Sequence, residues 1–171
     1  MAGYPEALER RRTLADGREV LLRPIRADDE ARERAFFAGL SPEALQQRFM
    51  KFVRAVPERT VQFFTHVDYD RHMAFVAEAG GEIVGQARYV QNPDGKSCEF
   101  AVVVADAWRR SGVAGLLMDL LIRTARERGL RSMEGLVLRD NRPMLRFVKA
   151  LGFDVAVDAV DPTMTRVRKK L

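Results

Sequence analysis

Apolar residues recur along this chain at two different periods, and the changes of period mark its elements. Ala15-Asp16-Gly17 signals a turn, and Glu19 to Ile25, EVLLRPI, then reads as a short strand. Asp28 or Asp29 is placed to cap a helix running to about Phe37. Ser41-Pro42-Glu43 opens a second helix, with serine as cap and proline at the first helical position. Pro57-Glu58 opens a third, which carries Val61, Phe63 and Phe64. From His72 the pattern changes: MAFVAEA, Gly80-Gly81 and EIVGQARYV predict strand, tight turn and strand. Asn92-Pro93-Asp94-Gly95 is a second turn and Ser97 to Val104 a third strand, which makes an antiparallel meander. Helical spacing returns in Leu116, Leu117, Leu120, Leu121, Thr124 and Ala125 and stops at Gly129. Met133 to Leu138 is another strand. Asn141 to Leu151 is another helix, with Pro143 in its first turn and Gly152 ending it. Two short strands, about Phe153 to Val157 and Thr163 to Arg168, follow. The expected fold class is α+β, a mixed central sheet flanked by helices. One domain, residues 18–171, is expected behind an N-terminal tail, residues 1–17.

Composition narrows what such a domain does. The 171 residues, 47% apolar and 31% charged, suffice for one soluble globular core. No apolar run approaches the ~20 residues of a membrane helix. The opening MAGYPEALERRR lacks the apolar segment of a secretory signal, so a cytoplasmic location is expected. One cysteine, Cys98, and two histidines, His66 and His72, argue against a disulfide or a metal centre. The net charge of +5 and a pI near 9.8 allow a nucleic-acid partner. Yet the clusters, Arg10 to Arg12 and Arg166 to Lys170, lie near the chain ends and read as solvated tails. A phosphate-bearing small molecule explains the charge equally well.

The stretch VADAWRRSGVAGLLM, residues 104–118, carries the most chemistry. Glycines between a strand and a helix let backbone N–H groups approach an anion, and the helix N-terminus adds partial positive charge. Arg109 and Arg110 add full charges. By these residues alone, Gly112, Ala114 and Gly115 serve equally well to let the helix pack on the sheet. The spacing is neither G-x-x-x-x-G-K-[ST] nor G-x-G-x-x-G, which excludes the P-loop and the dinucleotide fingerprint. Arg109-x-x-Gly112-x-Ala114 after the strand ending at Val104 resembles the pyrophosphate loop of the GNAT superfamily of N-acetyltransferases, [QR]-x-x-G-x-[GA]. Asn141 with Leu151-Gly152-Phe153 resembles that superfamily's N-x-x-A-x-x-L-Y-x-K-x-G-F segment. LRPIRADDEARERAFFAGLSPEALQQRF, FTHVDYDRHMAFVAE and the run from Glu99 to Leu130 are similar to the catalytic domain of bacterial Pat-type protein lysine acetyltransferases. The likeness covers roughly Glu19 to Val155.

That resemblance implies a sheet whose strands splay after the fourth predicted strand, with acetyl-CoA entering the gap. It implies that Val102, Val103 and Val104 offer backbone groups to the pantetheine arm. The amides of Arg110, Ser111, Gly112, Val113, Ala114 and Gly115 would cradle the pyrophosphate, with Arg109 also in the cofactor site. Asn141 would contact the pantetheine, with Met144 and Phe147 lining its outer side. No metal is needed.

An amine acceptor adds one requirement. A lysine side chain titrates near 10.4, so freeing its lone pair at pH 7.4 costs about 4 kcal/mol without help. A carboxylate beside the thioester can take that proton, and burial would suit it to the task. Glu99, in CEFAVV, is the candidate. By its residues alone it is better explained as a polar group on a strand's solvent face; the resemblance makes it the general base. Val148 stands where many relatives carry a tyrosine that protonates the leaving thiolate. Cys98 reads as a small core residue without an activating histidine, which favours direct transfer. The expected activity is acetylation of protein lysines, with acyl-CoA synthetases as candidate acceptors. A small-amine acceptor and a non-catalytic acyl-CoA sensor are the alternatives, and a nucleic-acid partner is the least favoured.

Overall fold

A computed structural model describes residues 3–171. Among them an eight-stranded sheet runs in the order β1-β2-β3-β4-β5-β6-β8-β7. Its strands are β1 (Arg10–Thr13), β2 (Glu19–Pro24), β3 (His72–Ala79), β4 (Glu82–Gln91), β5 (Ser97–Val104), β6 (Ser132–Leu138), β7 (Asp154–Val157) and β8 (Met164–Lys170). Every neighbouring pair is antiparallel except β5 with β6, which is parallel. The helices are α1 (Glu30–Ala38), α2 (Pro42–Phe49), α3 (Glu58–Thr65), α4 (Val113–Glu127) and α5 (Arg142–Ala150).

The sheet is covered on both faces, so its central strands read as nearly continuous apolar runs. Alternation still sorts them. Met73, Phe75 and Ala77 of β3 face α4, whereas Ala74 and Val76 face α1 to α3. On α4, Leu117, Met118, Leu121 and Ala125 are wholly buried. Each larger side chain contributes about 1.5–3 kcal/mol by leaving water.

Two departures from the expected layout have clear causes. The segment read as a tail contains β1, an edge strand whose residues RRRT show no apolar alternation because its side chains are mostly exposed. Asp29 does head α1, but its carboxylate caps nothing there. It turns back instead to Arg23, accepting from Nη1 at 2.8 Å and Nη2 at 2.7 Å, and to the Arg26 N–H at 2.8 Å. Glu78 of β3 holds the Arg23 Nε at 2.6 Å. Between them the two carboxylates on Arg23 tie β2 and β3 to the start of α1, and removing one partner of a buried pair such as Arg23–Asp29 costs about 3–5 kcal/mol.

Candidate active site

The site begins where two strands part. β5 and β6 pair only at Ser97–Ser132, Cys98–Met133 and Glu99–Glu134, although β5 runs on to Val104 and β6 to Leu138. At the next level the Phe100 ring lies against Gly135, 2.7 Å from where a β-carbon would stand, so only glycine fits. Beyond it opens a cleft of about 800 Å³. The ladder between β4 and β5 decides which backbone groups face it. Asn92 donates to Ser97 and Ala105 to Val84, so the odd-numbered residues of β5 bond to β4. The N–H and C=O of Phe100, Val102 and Val104 therefore point toward β6, which has turned away. Val103, expected to offer its backbone as well, is committed to Gln86 of β4.

The far end of the cleft is the start of α4. Gly112, the N-cap residue, has φ of 89°, a left-handed conformation that favours glycine, and it has no side chain with which to cap the helix. Arg110 is left-handed too, at φ 60°. Ser111 donates to the Trp108 carbonyl at 2.6 Å and accepts from the Val113 N–H at 3.3 Å. It shapes the turn. Val113 is buried in the core. Neither lines the cleft, whereas Arg109, Arg110, Gly112, Ala114 and Gly115 do. No acidic residue stands in the first turn of α4 to oppose an anion. The loop is braced from outside. Arg18 stacks on Trp108 at 4.0 Å and donates to the Ala107 carbonyl at 3.1 Å. Asp106 accepts from the Ser41 N–H at 3.1 Å, fixing the start of α2 beside the loop.

The second wall is α5. Asn141 is buried and its Oδ1 caps that helix by accepting from the Met144 N–H at 3.3 Å. Asn141, Met144 and Phe147 all line the cleft. Val148 does not: it is wholly buried in the core on the α4 side of the sheet. The tyrosines supply no acid either. Tyr69 donates to the Ile25 carbonyl at 2.7 Å, and Tyr89 is a buried core residue whose hydroxyl burial pushes up to about 12. Cys98 is buried on the face opposite Glu99, and burial pushes its thiol up to about 12.

The wall that sequence reasoning missed is α2. Ala44, Gln47, Arg48, Phe49 and Met50 line the cleft across from Glu99. Ser41 and Pro42 marked where α2 begins but not what it would meet. Glu99 itself is exposed in the open cleft, so the burial expected of a general base is absent. Arg48 stands over the rings of Phe49 and Phe64 at 4.9 and 5.2 Å. Burial lowers its affinity for its proton to a pKa of about 10, against the opposing pull of Glu33 and Glu99.

Behind Arg48 lies a buried polar layer. Arg88 donates to Gln86 Oε1 at 2.7 Å, to the Phe64 carbonyl at 3.1 Å and to His72 Nε2 at 2.9 Å. Gln86 donates in turn to Glu33. Because arginine only donates, His72 Nε2 must accept, so the imidazole is neutral. Burial and the Arg88 charge push its pKa down to about 3. Burial raises the Glu33 carboxyl, against the pull of Arg88, whose Nη2 lies 3.5 Å from Glu33 Oε2.

Known proteins share this fold. The family model of the Acetyltransferase (GNAT) family matches residues 40–153. An acetyltransferase of Pseudomonas aeruginosa is 37% identical over 155 residues, covering 88% of this chain and 83% of its own length. The GNAT domain of S. lividans PAT superposes with a TM-score of 0.92 at 28% identity, covering 99% of this chain and 100% of that one. A cAMP-binding acyltransferase from Mycobacterium smegmatis, 24% identical, has the same fold across 95% of this chain, at a TM-score of 0.64. This chain spans 48% of that protein. No helix among the described residues is long and apolar enough to cross a membrane. With the family model spanning well over half its length, and a parted β5–β6 seam facing a helix N-terminus, this chain belongs to the GNAT family of acetyltransferases, which use acetyl-CoA as co-substrate.

Proposed function

We propose that the chain transfers the acetyl group of acetyl-CoA to lysine side chains of proteins, directly and with Glu99 as general base. One observation carries this reading: Glu99 stands on the last paired level before β5 and β6 part, inside the cleft that α4 closes at its other end. The pyrophosphate would rest on the free N–H groups at the start of α4, with Arg109 and Arg110 beside it. The pantetheine would run along the backbone of Val104 and Val102, between them and Asn141, Met144 and Phe147. The thioester would then lie next to Glu99.

The chemistry follows from those positions. Glu99 takes one proton from the incoming ammonium, directly or through water, and frees the nitrogen lone pair. The nitrogen attacks the thioester carbonyl, forming the N–C bond and an oxyanion. A backbone N–H near Val102 is placed to hold that oxyanion, since its partner strand has turned away. The C–S bond then breaks. The nitrogen gives up its second proton to solvent, and coenzyme A leaves as thiolate to be protonated by water. With Val148 in the core and Cys98 on the other face, neither a tyrosine acid nor a cysteine acyl-enzyme enters the sequence.

The likeness to S. lividans PAT supports a protein acceptor, with acyl-CoA synthetases as the first class to try. The test incubates the chain with acetyl-CoA and either cell-lysate proteins or a panel of polyamines, amino acids and aminoglycosides, and reads products by mass spectrometry. Acetyl-lysine on proteins supports the proposal. Transfer confined to the small amines moves the acceptor class, and binding of acetyl-CoA without transfer would indicate a sensor.

A further inference from the structure

The ladder registers place His72, Val90, Glu99 and Glu134 side by side on adjacent strands, all on the face that α1 to α3 cover. Of the five exposed large apolar side chains among the described residues, one, Val90, belongs to this row and another, Phe63, packs against its His72. Val90 is 37% exposed and Phe63 of α3 is 56% exposed. Phe63 lies on the His72 ring at 4.8 Å. Scattered apolar residues on a surface need no explanation, but these two form a step that leads straight to Glu99, itself exposed. The ring beneath Phe63 carries no charge, because its Nε2 accepts from Arg88. The row is thus uncharged up to the carboxylate, with apolar side chains on its exposed side. An alkylammonium alone would make no use of it.

From this row, and resting on the proposed lysine acceptor, we infer that Phe63 and Val90 form a shelf for an apolar side chain of the acceptor polypeptide, two residues from the modified lysine. The spacing sets the position. Neighbouring strands lie about 4.8 Å apart, which puts Val90 about 5 Å and His72, under Phe63, about 10 Å from the Glu99 column. In an extended segment, side chains two residues apart share a face and are separated by about 6.8 Å. A lysine at Glu99 therefore lays its second neighbour between Val90 and Phe63. The shelf selects by sequence context and leaves the transfer step untouched.

The test uses three heptapeptides with a central lysine: one otherwise glycine, one with leucine two residues before the lysine, and one with leucine two residues after. n-Butylamine is the small-amine control. The purified chain and a double variant, Phe63→Ser with Val90→Thr, are compared for kcat/KM on each, with acetyl-CoA KM and thermal midpoint measured alongside. The expected result is a preference of about tenfold for one leucine peptide over the glycine peptide. The variant should lose that preference and keep the native rate on the glycine peptide. An equal rate on all three peptides with the native chain, or a preference that survives in the variant, overturns the shelf. So does a uniform loss on every peptide, which would mark the two residues as structural. Transfer to n-butylamine but to no peptide refutes the lysine acceptor itself, and the shelf with it.

Discussion

Glu33 and Glu99 approach the same face of the sheet, and both act on Arg48, yet they are built for different tasks. Glu33 is wholly buried, receives a hydrogen bond from Gln86 and faces Arg88. Glu99 is exposed, makes no hydrogen bond or ion pair among the described residues, and stands where the sheet opens. A carboxylate locked into a buried network cannot also shuttle a proton to a visiting substrate. A carboxylate left free can, provided that something rigid positions its strand. The buried layer of Glu33, Gln86, Arg88 and His72 supplies that rigidity from the neighbouring strands. The contrast separates what holds the platform from what uses it.

Substitutions can break the contrast from either side. Arg88→Met strips His72 of its donor and Glu33 of its charge partner, and loss of about 3–5 kcal/mol in chemical denaturation is expected. If stability is unchanged, the buried layer is not structural. Acid should act through His72. Its pKa is about 3 in the folded chain against about 6.5 unfolded, so the unfolded chain binds the extra proton between those values. Stability is therefore complete above about pH 6.5 and declines toward pH 3, with a slope approaching 1.4 kcal/mol per pH unit, or about a tenfold shift in the unfolding equilibrium. His72→Gln, which still accepts from Arg88, should flatten thermal unfolding midpoints measured between pH 7 and 5, above the range where most carboxylates titrate.

On the other side, Gly115 faces the cleft with nothing within 4 Å of a β-carbon. Gly115→Leu should fold normally and raise the acetyl-CoA KM at least about tenfold by filling the space beside the α4 N-terminus. An unchanged KM would move the pyrophosphate elsewhere. The smallest effect on turnover is expected of Val148→Tyr. Because Val148 points into the core, the added phenol ring should cost about 1–3 kcal/mol of stability by overpacking and raise kcat not at all. A gain in kcat would show that a side chain at position 148 reaches the leaving thiolate after all.

Much of this was legible in the chain itself. The apolar runs MAFVAEA and EIVGQARYV between turn residues, and the helical repeat of Leu117, Leu121 and Ala125, follow from burial, so the order of elements from Glu19 onward emerged. The loop from Arg109 to Gly115 was legible because its conformation demands particular residues, as the left-handed Gly112 does. Other features depend on contacts that pattern alone does not encode. β1 is an edge strand without alternation. Ser111 and Val113 lie within the loop motif but turn away from the cleft, and Val103 gives its backbone to β4. The facing of α2 and the meeting of Glu33 with Gln86 and Arg88 arise from packing between segments far apart in sequence. The one signal was the presence of Gln86 and Arg88 in a central strand covered on both faces, where polar side chains need buried partners.

The central claim is that Glu99, the free carboxylate at the parting of β5 and β6, removes the acceptor's proton. It is tested most directly by comparing Glu99→Gln with the native chain in acetyl transfer to a lysine peptide, with acetyl-CoA affinity measured by calorimetry. The account predicts affinity and thermal midpoint near the native values and kcat lower by about 10²–10⁴-fold at pH 7, recovering as pH rises toward the amine's own pKa. Native turnover in Glu99→Gln, with acetyl-CoA bound normally, would contradict it.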